Sequence, residues 1–311
     1  MADGISVIIP TMNRENSLKR TIAFYLKALL IPDEIIIVDQ SNNENIIQGI
    51  KRFLNTITGV RIIYYHQDIA SSTMARNKGL SLANNDIIVF SDDDVDIYDD
   101  TLKNIVEIMQ DKSVCMIGGL NDNGARSKSN IGYLIGTKSF KKRKIGHVTY
   151  SMLGRYPNNV KGTIATEWAM GYFFVVRKSL VEKHHISWDE KLVRYAYAED
   201  LDFSYSYYKA IKKAGDGRCV LTDKVRVKHL GSLEYRNPSR EKEFMYVLNR
   251  YYLSRKHKMG KRSLFWMALC NRCRLISAIY DKEKYKNLKD AIRYLKSHKE
   301  QIALGIFYYG N

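Results

Sequence analysis

Four short runs decide how this chain can fold: ISVIIP (5–10), EIIIVD (34–39), VRIIYYH (60–66) and DIIVF (86–90). Each is dominated by apolar, mostly β-branched side chains, without the strict polar alternation of a strand that faces water on one side. Between them lie stretches with helical spacing, at 16–30, 44–56 and 74–83; in the first, Leu18, Ile22, Leu26 and Leu29 share one face. The order is βαβαβαβ. It predicts an α/β fold with a mostly parallel sheet covered by helices on both faces. In such sheets ligands bind in the crevice beyond the carboxyl ends of the strands.

The strand exits fit that expectation. Pro10, Thr11, Asn13 and Arg14 follow the first run, and Asp39, Gln40 and Ser41 the second. Gln67 and Asp68 follow the third, with Arg76 and Asn77 on the next helix. Asp92, Asp93 and Asp94 follow the fourth. Loops are polar in general, but four polar exits in register after oily strands describe a ligand crevice. Neither a G-x-G-x-x-G nor a G-x-x-x-x-G-K-[ST] fingerprint is present to cradle phosphates. A hard divalent cation, Mg²⁺ or Mn²⁺, held by Asp92 and Asp94 would neutralise a diphosphate instead. The acidic run lacks the Gly and closing Glu of an EF-hand.

The net charge of +17 is uneven. Residues 1–120 hold 11 basic and 16 acidic side chains, 121–235 hold 21 and 11, and 236–300 hold 18 and 6. A basic back half suits nucleic acid, anionic lipid or a phosphorylated substrate. The chain shows no nucleic-acid-binding motif, so no nucleic-acid partner is expected. Four cysteines make no disulfide framework, and Cys270-x-x-Cys273 has no second pair at zinc spacing. The opening MADGISVIIP lacks a leader pattern, and no stretch stays apolar for the roughly 20 residues a span needs. A cytoplasmic, reducing setting is expected.

SVIIPTMNR, EIIIVDQSNN, ARNKGL and IIVFSDDDV resemble, in order and spacing, the donor half of family 2 glycosyltransferases. EWAMGYFFVVRKSL (167–180) and YAEDLDF (197–203) extend the resemblance to about residues 4–232. It implies a GT-A fold and an inverting, metal-dependent hexosyltransferase that moves a sugar from a nucleotide diphosphate, UDP by default. The acceptor would be a saccharide or a lipid-linked saccharide of cell-surface polysaccharide. Mn²⁺ or Mg²⁺ would be held by Asp92, Asp94 and His229, with Asp94 the direct ligand. Pro10, Thr11, Asn13, Arg14, Asp39, Ser41, Arg76, Asp92 and Asp93 would bind the nucleotide sugar, Asp39 as the base-recognising acid. Asp200 would be the general base, with Glu199 positioning the acceptor or serving as the alternative base. Trp168 and Gly171 would line the acceptor pocket. Read without the family, Glu199 and Asp200 are equally capping acids of a helix whose dipole favours their charged forms. Asp202 is read as structural, the basic loop 136–147 as a solvated loop, and Asp96, Asp99 and Asp100 as loop and helix-start residues. A nucleotidyltransferase is the alternative reading, and PTMNRENS lacks the Gly-rich loop usual after its first strand.

The chain divides on this reading into a glycosyltransferase domain, 1–235, and a basic helical extension, 236–311. The first splits into a nucleotide-binding half (1–120) and an acceptor half (121–235). Three helices are expected in the extension, at about 237–257, 261–280 and 283–299. The middle one mixes apolar residues with Arg262, Arg272 and Arg274, which suits a membrane-surface helix and equally a helix packed on the catalytic half. A peripheral place at the inner face of the cell membrane is one expectation; oligomeric state stays open.

Overall fold

The structure, a computed structural model, describes residues 4–123, 136–157, 159–193, 197–231 and 239–308. The first half runs β1 (Ile5–Thr11), α1 (Glu15–Lys27), β2 (Glu34–Asp39), α2 (Glu44–Leu54), β3 (Arg61–His66), α3 (Ser72–Leu82) and β4 (Ile87–Ser91). Every expected element is present. β5 (Val95–Ile97), α4 (Thr101–Met109) and β6 (Val114–Asn121) follow. Next come the short pair β7 (His147–Val148) and β8 (Gly154–Arg155), then β9 (Thr163–Ala165), β10 (Phe173–Arg177), α5 (Lys178–Lys183), α6 (Glu199–Ala214) and β11 (Arg218–His229). The C-terminal part is helical: α7 (Ser239–Lys256), α8 (Lys261–Ser277), α9 (Lys282–Ser297) and α10 (Lys299–Ala303). The first two residues expected in α7, 237 and 238, lie outside the described residues.

The main sheet has the order β3-β2-β1-β4-β10-β6-β11-β5, with β9 on β11. β3, β2, β1 and β4 are parallel, and β10 runs antiparallel to both β4 and β6. Alternation across the sheet separates two cores. Ile5, Val7 and Ile9 point toward Leu18, Ile22, Ile50 and Leu102 of α1, α2 and α4. Ile8, Ile36 and Phe90 point toward Ala75 of α3 and Phe203 and Tyr207 of α6. Each such aliphatic side chain, fully buried, contributes roughly 1.5–3 kcal/mol. Gly119 lets β10 and β6 pair closely; a Cβ there would sit 2.8 Å from the Phe173 carbonyl oxygen.

A third core joins the far side of α6 to the C-terminal helices: Trp168, Leu201 and Tyr205 pack with Phe244, Leu248, Leu288 and Ile302. An ionic cluster around the buried Asp202 reinforces it. Asp202, on α6, accepts from Lys256 Nζ at 2.6 Å and pairs with His257 Nε2 at 2.8 Å. Lys256 also reaches Asp189 at 2.7 Å. Asp202 is thus structural, as expected. Asp96 departs from its reading as a loop residue: it lies in β5 and takes two bonds from Arg20, at 2.9 and 2.6 Å. In 136–147 a 3-10 turn forms at Phe140–Lys144, Lys142 pairs with Glu167, and Lys138 Nζ donates to Tyr205 Oη at 3.0 Å. The segment is therefore tied to the body rather than fully solvated. Cys270 is buried and Cys273 exposed on the same helix, and both thiols are free.

Candidate functional site

The exits of β1 and β4, the turn before β10 and the start of α6 enclose one cavity of about 840 Å³. Of the residues expected at the site, Pro10, Thr11, Arg14, Arg76, Asp92, Asp93, Asp94, Trp168, Gly171, Glu199, Asp200 and His229 line it. Asn13, Asp39 and Ser41 do not; they form the support behind the β1 exit. Asp39 is fully buried, its Oδ1 accepting from the Ser41 N–H at 2.9 Å and its Oδ2 from Tyr64 Oη at 2.8 Å. Ser41 Oγ accepts from the Asn13 N–H at 2.8 Å, and Asn13 holds a left-handed φ of 54°. These bonds shape the loop that carries Thr11 and Arg14.

The aspartate triplet divides by direction. Asp93 turns inward, accepting from Thr11 Oγ1 at 2.6 Å and from Arg14 Nη1 at 3.0 Å. Asp92 and Asp94 meet His229, and one ligand atom from each lies within 4.8 Å of the others. The fold brings His229 there because β5, directly after the triplet, pairs antiparallel with the end of β11, His229 opposite Val95. The Asp94 carbonyl accepts the Leu230 N–H at 3.0 Å, and the imidazole stacks on Tyr172 at 5.0 Å. His229 Nε2 is 3.0 Å from Asp94 Oδ1.

Arg76 is the hinge of the site. It is 4% exposed, its guanidinium lies 4.7 Å from the Trp188 ring centroid, and it bridges Asp92 at 2.8 Å and Glu199 at 3.0 Å. It thereby joins the β4 exit to the start of α6. Glu199 and Asp200 open that helix behind Ala198, whose φ of 71° turns the chain sharply into it. Asp200 Oδ2 accepts the Gly171 N–H at 2.8 Å and Oδ1 the Leu201 N–H at 2.7 Å. The approach needs glycine: a Cβ on residue 171 would lie 2.9 Å from Asp200 Cβ.

Six carboxylates, Glu241 among them, share the cavity with Arg14, Arg76, Arg155, Lys242 and His229, and burial is the largest influence on the protons of Asp92, Asp93, Glu199 and Asp200. It raises Asp92, Asp93 and Asp200 above the usual carboxylate range, Asp93 to about 7 against the opposing Arg14. Burial and the neighbouring Asp200 push Glu199 up to about 8, with Arg76 opposing. The helix dipole expected to hold Asp200 down is outweighed by burial. Burial lowers His229, but its bond to Asp94 and the charges of Asp92 and Asp94 outweigh that and raise it. Two carboxylates and an imidazole meeting at one point of the cavity are a donor set that fits Mn²⁺ or Mg²⁺.

Several wall residues carried no signal in sequence. Arg155 comes from the short strand β8, Tyr197 from a turn, and Glu241 and Lys242 from the first turn of α7. Trp168 is mostly wall: it is 6% exposed and its Nε1 donates to the Arg155 carbonyl at 3.2 Å.

Comparison with known proteins agrees with this geometry. The family model for glycosyl transferase family 2 matches residues 6–185. The glycosyltransferase GlyG of Streptococcus pneumoniae is 22% identical over 189 residues, 60% of this chain and 61% of that protein. S. aureus TarS 1–349 in complex with UDP-GlcNAc superposes with a TM-score of 0.57 at 17% identity, over 96% of this chain and 82% of that one. The mannosyltransferase PcManGT from Pyrobaculum calidifontis, in complex with GDP-Man and Mn²⁺, superposes with a TM-score of 0.56 at 14% identity, over 96% and 76%. The two superpositions share the GT-A fold, and the family match covers more than half of the sequence. The matches span less than two thirds of the length of the curated relatives, and the chain belongs to glycosyl transferase family 2.

Proposed function

We propose that the enzyme transfers a sugar, with inversion, from a UDP-sugar to a hydroxyl of a saccharide or lipid-linked acceptor in cell-surface polysaccharide assembly. The observation that carries this is the placing of Asp200 on the same cavity wall system as Asp92, Asp94 and His229, with Arg76 tying the two groups together. Direct displacement needs one base on the acceptor side and charge stabilisation at the departing diphosphate. Asp200 takes the acceptor hydroxyl proton as the acceptor oxygen bonds to the anomeric carbon and the bond from that carbon to the β-phosphate oxygen breaks. The Gly171 and Leu201 N–H groups fix its carboxylate. Asp92, Asp94 and His229 would hold Mn²⁺ or Mg²⁺, which when bound offsets the charge growing on the diphosphate. Pro10, Thr11 and Arg14 line the nucleotide end, with Asn13, Asp39 and Ser41 shaping their loop. Glu199, paired with Arg76, positions the acceptor, and Trp168 and Gly171 wall its pocket. PcManGT and TarS, caught with GDP-Man and UDP-GlcNAc, support a nucleotide-sugar donor. The lipid-linked form of the acceptor, and a place at the inner face of the membrane, rest on the basic C-terminal helices.

Thermal denaturation of the chain with UDP, GDP or CMP, each with and without Mn²⁺, tests the donor reading. One diphosphate should stabilise in the presence of metal, by about 2.7 kcal/mol at a hundredfold excess over its dissociation constant. Equal stabilisation with and without metal would remove the role given to Asp92, Asp94 and His229.

A further inference from the structure

α8 buries one face and leaves the other bare. Ser263, Met267, Cys270 and Asn271 are buried toward the neighbouring helices. On the outward side Phe265 is 65% exposed, Ile276 66%, and Ile279 and Tyr280 just beyond the helix 55% and 100%. Exposed apolar side chains scattered singly need no explanation, but Phe265 and Ile276 share one side of the helix, with Arg272 between them, and Ile279 and Tyr280 extend the exposed apolar surface past its end. The cations Lys261, Arg262 and Arg272 are exposed on the same side. They belong to a segment, 239–308, with 17 basic against 6 acidic residues. No helix among the described residues is long and apolar enough to cross a membrane.

We propose that this face of α8 docks flat on an anionic lipid surface, with Phe265, Ile276 and Ile279 entering the acyl boundary and Arg262 and Arg272 at the headgroups. Charge decides between this occupant and a second copy of the chain. A two-fold dimer through this face would bring together two segments that each carry 17 basic against 6 acidic residues, which repel. Anionic headgroups supply the opposite charge, and long cationic side chains reach them from an embedded apolar face.

The placement also suits the cavity. α7 and α8 run antiparallel, since Arg274 late in α8 makes two 2.8 Å bonds to Glu243 in the first turn of α7. That same turn lends Glu241 and Lys242 to the cavity wall. Ile276, Ile279 and Tyr280 therefore lie next to the α7 rim, and docking would bring the rim close to the surface that carries a lipid-linked acceptor. This deepens, and for its purpose rests on, the proposed membrane-surface acceptor.

Flotation of the full chain with phosphatidylcholine vesicles, and with vesicles containing phosphatidylglycerol, tests it without any donor. The chain should float only with the anionic vesicles, and less as salt rises. Arg262→Gln and Arg272→Gln should each weaken partitioning about fivefold. Phe265→Asp with Ile276→Asp should weaken it more than tenfold, with the Mn²⁺-dependent UDP shift intact as a check on folding. No flotation, or flotation unaffected by the double substitution, overturns the proposal. So does a dimer in light scattering that the double substitution dissolves. A chain that floats but binds no nucleotide overturns the donor reading alone.

Discussion

At the residue scale, one feature sets the behaviour of the site: carboxylates are gathered where water is scarce, and their protons answer to burial before anything else. Glu199 shows this most clearly. Its carboxyl is pushed from 4.5 up to about 8, by burial first and Asp200 second. A group that holds its proton more tightly in the fold stabilises the fold fully below its unfolded value and loses that contribution as pH rises through its folded value. The metal-free protein should therefore lose stability between pH 4.5 and 8 partly through Glu199. In Glu199→Gln that part of the slope should vanish, as urea titrations at the two ends of the window would measure. An unchanged slope would mean that Arg76 keeps Glu199 ionised throughout. Sequence placed Glu199, Asp92 and Asp94 at the site because each sits in a short motif, and His229 only through the family resemblance. It gave Arg76 only a nucleotide role, because its partners Asp92 and Glu199 stand 16 and 123 residues away. Asp39 differs for a similar reason: its burial depends on Tyr64 of the neighbouring strand.

At the scale of elements, strands and helices of the first half were legible because their period survives in the sequence. β1 to β4 are continuous apolar runs, and α1 and α2 bury one stripe each. β6 is harder to read, since Gly118 and Gly119 interrupt its apolar run for the sake of close packing with β10. β5 is three residues long, and only its pairing with β11 makes it a strand. The join between α6 and α7 was equally hidden, because Asp202 meets Lys256 and His257 across 54 and 55 residues. Asp202 and His257 are buried, at 1% and 8% exposure, and Lys256 reaches Asp202 from the surface. Asp202→Ala would leave the buried His257 without its partner, while Lys256 keeps Asp189, and should cost about 1–3 kcal/mol in chemical denaturation. A cost under about 1 kcal/mol would show a cluster that is screened like a surface pair. Because α6 also begins with Glu199 and Asp200, loosening this join should disturb the cavity end of the helix as well.

At the scale of the whole molecule, the uneven charge seen in sequence acquires a layout. Three acidic residues of the front half, Asp92, Asp93 and Asp94, line the cavity, and the basic C-terminal helices reach its wall through Glu241 and Lys242. α7 serves both roles, sharing a core with α6 and lending its first turn to the cavity wall. Composition announced the two charges but not their adjacency, which arises from packing between segments distant in the chain. The central claim is that Asp200 acts on the acceptor proton while a separate group of residues holds the donor. Turnover of a UDP-sugar, measured as UDP released by the wild type and by Asp200→Asn, together with UDP affinity in Mn²⁺ for both proteins, tests it most directly. Loss of turnover by about 10²–10⁴-fold with UDP affinity kept would bear the claim out. Turnover retained in Asp200→Asn, or lost only in step with UDP affinity, would contradict it.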